Sequence, residues 1–124
     1  MQHISTAAAP QAIGPYSQAI VVDKLVFCSG CIPLNPVSMT VETQGIEEQT
    51  AQVLKNMTAV LEAAGSDLKK VAKTTVFLKD MGDFQKMNGV YDRFFDGHKP
   101  ARSTIQVAKL PLDVLVEIEC IATV

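Results

Sequence analysis

The chain has no run of basic residues. Lys69-Lys70 is its densest pair, and its formal net charge is −2. A nucleic-acid groove needs clustered lysine and arginine, so nucleic acid is not expected as the main partner. There is no apolar stretch of membrane-spanning length. The first residues, Met-Gln-His-Ile-Ser-Thr-Ala-Ala-Ala, lack the charged and apolar regions of a secretory signal and the arginines of a mitochondrial transit peptide. A soluble cytoplasmic protein is the expectation. Cysteines number three, an odd count that predicts free thiols in such a compartment. Cys28-Ser-Gly-Cys31 is formally a C-x-x-C. It closes a strand and runs into Ile32-Pro33, without the following helix that lowers a thiol pKa in redox pairs. A zinc site would need more ligands, and Cys120, His3 and His98 are isolated. Neither a redox nor a metal role is expected.

What is present is apolar. Hydrophobic residues make up 48% of 124 positions, and mean hydropathy is +0.18. That length holds one domain, residues 1–124. A small domain buries a limited share of its surface, so the apolar surplus points to a subunit interface.

Residues 1–12 are small and polar and predict an irregular lead-in. Gly14-Pro15 fixes a bend that sets Tyr16 on a stiff backbone, either as a core or interface aromatic or as a pocket wall. Strands are predicted over 18–22 and 25–29, joined by a tight turn at Asp23-Lys24. Pro33 and Pro36 enforce a loop to about residue 45. Residues 46–64 form the strongest amphipathic helix, ended by Gly65. A third strand spans 71–78. A second helix spans 84–95, with Phe84, Met87, Tyr91, Phe94 and Phe95 inward and Asn88 near that side. The order β-β-α-β-α-β-β predicts an α+β fold, a two-layer arrangement of a mixed sheet with both helices on one face. The other sheet face then needs cover, which an oligomer supplies.

The last stretch carries the chemistry. Strands are predicted over 103–107 and 114–124, around turn residues Leu110-Pro111-Leu112-Asp113. Arg102, Thr104 and Gln106 share a face of the first, and Leu115, Glu117, Glu119 and Ile121 a face of the second. An antiparallel hairpin centred on the turn sets Arg102 opposite Glu119, Thr104 opposite Glu117 and Gln106 opposite Leu115. A guanidinium fork there can grip a substrate carboxylate, and the carboxylate can act as a base toward water. A cross-strand ion pair that sets register is the commoner use of such residues.

These residues also spell out a family pattern. The chain resembles the RidA/YjgF family of enamine/imine deaminases over nearly its whole length. The matching segments are Ala-Ile-Gly-Pro-Tyr-Ser-Gln-Ala (12–19), Ser-Gly-x-Ile-Pro-x-Asn-Pro (29–36), Val-Leu-Glu-Ala-Ala-Gly (60–65) and Lys-Thr-Thr-Val-Phe-Leu-Lys-Asp (73–80). They continue with Asp-Phe-x-x-x-Asn-x-x-Tyr (83–91), Pro-Ala-Arg-Ser (100–103) and Val-Glu-Ile-Glu-x-Ile-Ala (116–122). The resemblance implies the fold shared with trimeric chorismate mutases and a homotrimer with clefts between subunits. It implies hydrolysis of 2-iminobutanoate and 2-iminopropanoate to 2-oxo acids and ammonia, without cofactor or metal, protecting pyridoxal-phosphate enzymes. By position it makes Arg102 the carboxylate clamp and Glu119 the catalytic carboxylate. Ser29, Gly30 and the backbone at Thr104 complete a polar wall, with Tyr16, Phe84 and Asn88 around the pocket. This chain departs from the pattern at Thr104, where the family commonly has Cys, and at Cys31, where it usually has Gln. The alternatives are a non-catalytic binding module for 2-oxo or imino acids, which needs only the arginine, and a ribonuclease or translation inhibitor. A mutase, suggested by the fold alone, would favour more than one cation in the cleft.

Overall fold

The computed structural model describes all 124 residues. Two helices pack on one face of a six-stranded mixed sheet, as the element pattern predicts. The strands are β1 (Gln2–Ile4), β2 (Ala19–Val22), β3 (Leu25–Cys31), β4 (Val71–Leu78), β5 (Ala101–Gln106) and β6 (Val116–Thr123); the helices are α1 (Ile46–Ala63) and α2 (Phe84–Phe95). Both helices and β4 fall where apolar periodicity puts them. One strand was not foreseen: Gln2–Ile4 lies antiparallel to β2 instead of forming an irregular lead-in. Three residues are too short for a period of two to register.

The strand order is β1-β2-β3-β6-β4-β5. β2 and β3 form the expected tight hairpin, with Asp23 at φ +53° in its turn. The predicted β5–β6 hairpin does not form. β6 lies antiparallel between β3 and β4, and β5 runs parallel to β4 at the sheet edge. Burial explains the choice. Val116, Ile118, Cys120 and Ala122 of β6 are all buried, whereas no residue of β5 is. The strand with a continuous buried face takes the centre, and the polar one takes the edge. The β4-α2-β5 unit is a strand–helix–strand crossover, the usual way to join parallel neighbours.

The core lies between the sheet and α1. Val53, Leu54, Met57 and Leu61 are fully buried, and they cluster with Val26, Val76, Ile118 and Ala122. Gly65 sits just past α1 at φ +80°, a conformation only glycine adopts without strain. The sheet's opposite face has no layer of its own chain. Leu25, Phe27 and Ile105 are 41%, 42% and 45% exposed. Apolar surface left wet in this way costs about 25 cal/mol per Å².

Candidate functional site

Arg102 pairs with Thr74 across the parallel β4–β5 ladder, so its side chain lies on the helix face of the sheet, against α2. Its guanidinium lies over two aromatic rings. Its central carbon stands 4.7 Å from the Tyr91 ring centroid and 5.4 Å from that of Phe84. Stacking of this kind holds a planar cation at about 0.5–1 kcal/mol per ring. Tyr91 is itself pinned by a 2.7 Å hydrogen bond between its hydroxyl and Thr74 Oγ1. Burial keeps the Tyr91 hydroxyl protonated, above its ordinary range. One guanidinium edge is also held: Nη1 donates to Asn88 Oδ1 at 2.6 Å. No carboxylate pairs with it, the chain's one salt bridge being Lys79–Asp113 on the surface. An arginine stacked, oriented and unpaired is prepared for an anion from outside. The Arg102 cavity, about 640 Å³, is lined by Asn88, Tyr91, His98 and Lys99 among others.

The edge position of β5 adds donors. Val107 N–H donates to Leu78 O, so Ser103 and Ile105 also direct their backbone groups toward β4. By alternation the N–H and C=O of Arg102, Thr104 and Gln106 point to the free edge. The Thr104 main chain is thus available beside the guanidinium, while its hydroxyl is buried without a partner on the helix face.

Tyr16, Ser29 and Gly30 gather elsewhere. They line a second cavity of about 310 Å³, together with Ile13, Gln18 and Cys31. Its walls are held by buried amides. Gln18 bonds to Thr6 and Pro10 of the N-terminal segment. Asn56 of α1 donates to Ile32 O and Leu34 O at 3.1 and 2.9 Å, fixing the loop after β3. Ser29 Oγ donates to Ser17 O at 2.6 Å. Between Cys28, paired with Cys120, and Cys31, paired with Ile118, β3 carries one residue too many. Ser29 and Gly30 therefore bulge opposite Glu119, a distortion that re-aims strand residues.

Glu117, on the face away from the helices, is the carboxylate that meets this bulge. A Cβ on Gly30 would lie 2.9 Å from its Cδ and Oε2, so only glycine admits the carboxylate there. Burial raises the Glu117 pKa above the usual carboxylate range, and the like charge of Glu119 raises it further. A half-buried carboxylate with a raised pKa, packed against the Ser29-Gly30 bulge, is the chemical profile of an acid–base group. Sequence reasoning missed it by working from the wrong hairpin. The expected pairing of Arg102 with Glu119 is absent: Glu119 is exposed, pairs with Thr75 of β4 and lies on the other face of the sheet from Arg102.

The anticipated residues thus fall into two separate groups. Arg102, Asn88, Phe84 and Thr104 lie at the β5 edge; Tyr16, Ser29 and Gly30, now joined by Glu117, lie at the β3–β6 bulge. Three strand spacings separate β3 from β5, about 14 Å, with the helix-facing guanidinium and the outward Glu117 on opposite sides. One small molecule cannot touch both within one chain.

Comparisons agree with the fold. The family model described as Endoribonuclease L-PSP matches residues 6–124. Reactive Intermediate Deaminase A, chloroplastic, of Arabidopsis thaliana is 51% identical over 120 residues, or 97% of this chain, which spans 64% of that relative's length. The 2-iminobutanoate/2-iminopropanoate deaminase of Homo sapiens is 48% identical over 119 residues, covering 96% of this chain and 87% of the human one. Among solved structures, E. coli TdcF with bound serine superposes with a TM-score of 0.96 at 42% identity, covering 100% of this chain and 99% of that one.

Proposed function

This chain belongs to the RidA/YjgF family, and on that premise we propose that it hydrolyses 2-imino acids to 2-oxo acids and ammonia. The observation that carries the reading is the pre-oriented, unpaired Arg102. A substrate carboxylate takes the guanidinium's free donors and the outward N–H of Thr104. The name of the human relative supplies the substrate class, 2-iminobutanoate and 2-iminopropanoate. The bound serine of TdcF is likewise a short acid with nitrogen on its α-carbon.

The working unit in this proposal is an assembly of identical subunits, with three clefts in a trimer. The uncovered apolar sheet face is where copies meet, and the division of the site is the reason they must. The β5 edge and α2 of one copy face the Ser29-Gly30 bulge, Tyr16 and Glu117 of the next. The base is Glu117, not Glu119. Its raised pKa suits a group that must both take and return a proton near neutrality.

The chemistry then needs no more than these groups. The imine carbon is electrophilic, and Arg102 fixes its position through the adjacent carboxylate. Glu117 takes a proton from water as its oxygen bonds to that carbon, and the C=N π pair moves onto the protonated imine nitrogen. Glu117 passes its proton to the nitrogen of the resulting carbinolamine; the C–N bond then breaks as the hydroxyl loses its proton to Glu117 and C=O forms, and that proton leaves with the ammonia. Phe84 and Tyr91 back the arginine, and Tyr16 closes the pocket. Such imines are released by pyridoxal-phosphate dehydratases acting on threonine and serine, and their removal protects those enzymes. The description of the family model names RNA cleavage, but His3 lies at the opposite sheet edge and His98 is held by Val71 O. No pair of histidines is available for acid–base attack on RNA.

The test couples threonine dehydratase to the protein, with semicarbazide trapping imine that escapes hydrolysis. Wild type lowers the semicarbazone signal, and Arg102→Ala does not. An equal signal with and without wild-type protein refutes the deaminase reading.

A further inference from the structure

The chain's three thiols lie together under the segment that forms one wall of the proposed cleft. Cys28 and Cys120 are Cα partners across β3 and β6, both buried. Cys28 Sγ is 4.0 Å from Cys31 Sγ, and all three are free. Cys31 lines the cavity that also contains Tyr16, Ser29 and Gly30, so small molecules have a route to the cluster. The two residues between the neighbouring sulfurs are Ser29 and Gly30. We propose that Cys28 and Cys31 are an oxidisable pair, whose disulfide displaces the Ser29-Gly30 bulge and switches the cleft off. The switching half rests on the deaminase reading; the modification site does not.

The thiols are arranged for this chemistry without a helix N-terminus. Hydrogen bonds from Cys120 and Cys31 hold the Cys28 thiol well below the ordinary cysteine range, against the opposing effect of burial. Cys31 and Cys120, as donors to it and by burial, are pushed up. Cys28 is the thiol whose ionisation its neighbours favour, and a thiolate is the nucleophile. The oxidant class is a hydroperoxide. Cys28 sulfur attacks the peroxide oxygen, the O–O bond breaks, and the leaving oxygen takes a proton. Cys31 sulfur then attacks the Cys28 sulfenic sulfur; the S–O bond breaks and water leaves. Two thiols and one hydroperoxide give a disulfide, an alcohol (water from hydrogen peroxide) and water.

A disulfide is about 2.05 Å long, so the sulfurs close by about 2 Å. Cys28 is tied on both sides, to Ala19 and to Cys120, so the movement falls on the bulge. Gly30 packs against the Glu117 carboxylate, where a Cβ would come within 2.9 Å, so a bulge that moves that way pushes the carboxylate aside. Displacing the bulge moves the base. A misplacement of about 1 Å can cost on the order of 100-fold in rate.

The experiment treats the reduced, assembled protein with hydrogen peroxide, alkylates it and digests it with trypsin. Cys28 and Cys31 fall on the peptide spanning 25–55, and Cys120 on that spanning 110–124. The expected result is a 25–55 peptide lighter by two hydrogens and unalkylated, with Cys120 alkylated. With it, kcat/KM falls on the order of 100-fold, and dithiothreitol restores it, which it does not do for oxidised methionine. Cys28→Ala, at a position that lines neither cavity, retains activity and ignores peroxide. Full alkylation of all three thiols, a Cys28–Cys120 cross-link, or an oxidised pair with unchanged kcat/KM would overturn the proposal. If the reduced protein turns over no imine, the deaminase reading fails instead. Amide hydrogen exchange at Ser29 and Gly30 then decides: altered exchange on oxidation supports the coupling, and unaltered exchange overturns it.

Discussion

Replacing Arg102 with alanine removes the clamp and little else. In the free protein its side chain makes one hydrogen bond, to Asn88, and stacks on Phe84 and Tyr91. Losing these costs about 2.5–5 kcal/mol of stability. A domain of this size has roughly 5–15 kcal/mol to lose from, so a destabilised but folded variant is expected. With substrate bound, two charge-assisted bonds to the carboxylate are worth about 1.5–3 kcal/mol each. Their loss is about 3–6 kcal/mol, a fall in kcat/KM of roughly 10²- to 10⁴-fold. Imine hydrolysis in the dehydratase-coupled assay reads the rate, and urea unfolding reads the stability. A folded Arg102→Ala protein within about threefold of wild type would refute the clamp, because no pair of charge-assisted bonds is worth so little.

Further outcomes follow from the second half-site. Activity should fall as pH drops through the raised pKa of Glu117, so the acid limb lies above the usual carboxylate range. Glu119→Gln removes the like charge and moves that limb to lower pH with the plateau retained; a dead Glu119→Gln enzyme would make Glu119 the base instead. A carboxylate with a raised folded-state pKa favours the folded form below the ordinary range and loses that advantage as pH rises through its folded value. Glu117→Gln therefore abolishes turnover yet gains stability, relative to wild type, as pH rises to neutral; parallel stability curves would contradict this. Gly30→Ala pushes a methyl into the Glu117 carboxylate, lowering kcat more than stability in paired kinetic and thermal measurements. Phe27→Asp places a charge on the uncovered sheet face and should dissociate the assembly in sedimentation velocity, and an unchanged sedimentation coefficient would show that copies meet elsewhere.

The parts legible in the sequence were those with a strong local period. Val53, Leu54, Met57 and Leu61 mark α1 by helical spacing, and they are its fully buried apolar residues. β4 and α2 were equally plain. The β5–β6 register was not, because closeness in sequence favours a hairpin while burial over the whole sheet decides strand order. The signal was nevertheless present: β6 alternates continuously, β5 carries Arg102, Ser103 and Thr104, and β4-α2-β5 reads as a crossover unit. Arg102, Asn88 and Phe84 do come together as expected, since α2 packs on the β5 edge. Our preference for Glu117 over Glu119 as the proposed base rests on the Cys28–Cys31 bulge, which no periodicity reveals. The second copy that we propose was foreshadowed by the apolar surplus and by the sheet face left without cover.

The central claim is that the clamp and the base of each site come from different copies. Mixing tests it directly. Arg102→Ala and Glu117→Gln, each inactive alone, are unfolded together and refolded in equal amounts. In a cyclic trimer with random mixing, about a quarter of the clefts pair an intact Arg102 with an intact Glu117, so about a quarter of wild-type activity returns. Mixed assemblies that form, by native mass spectrometry, yet stay inactive would place both groups in one chain and contradict the account.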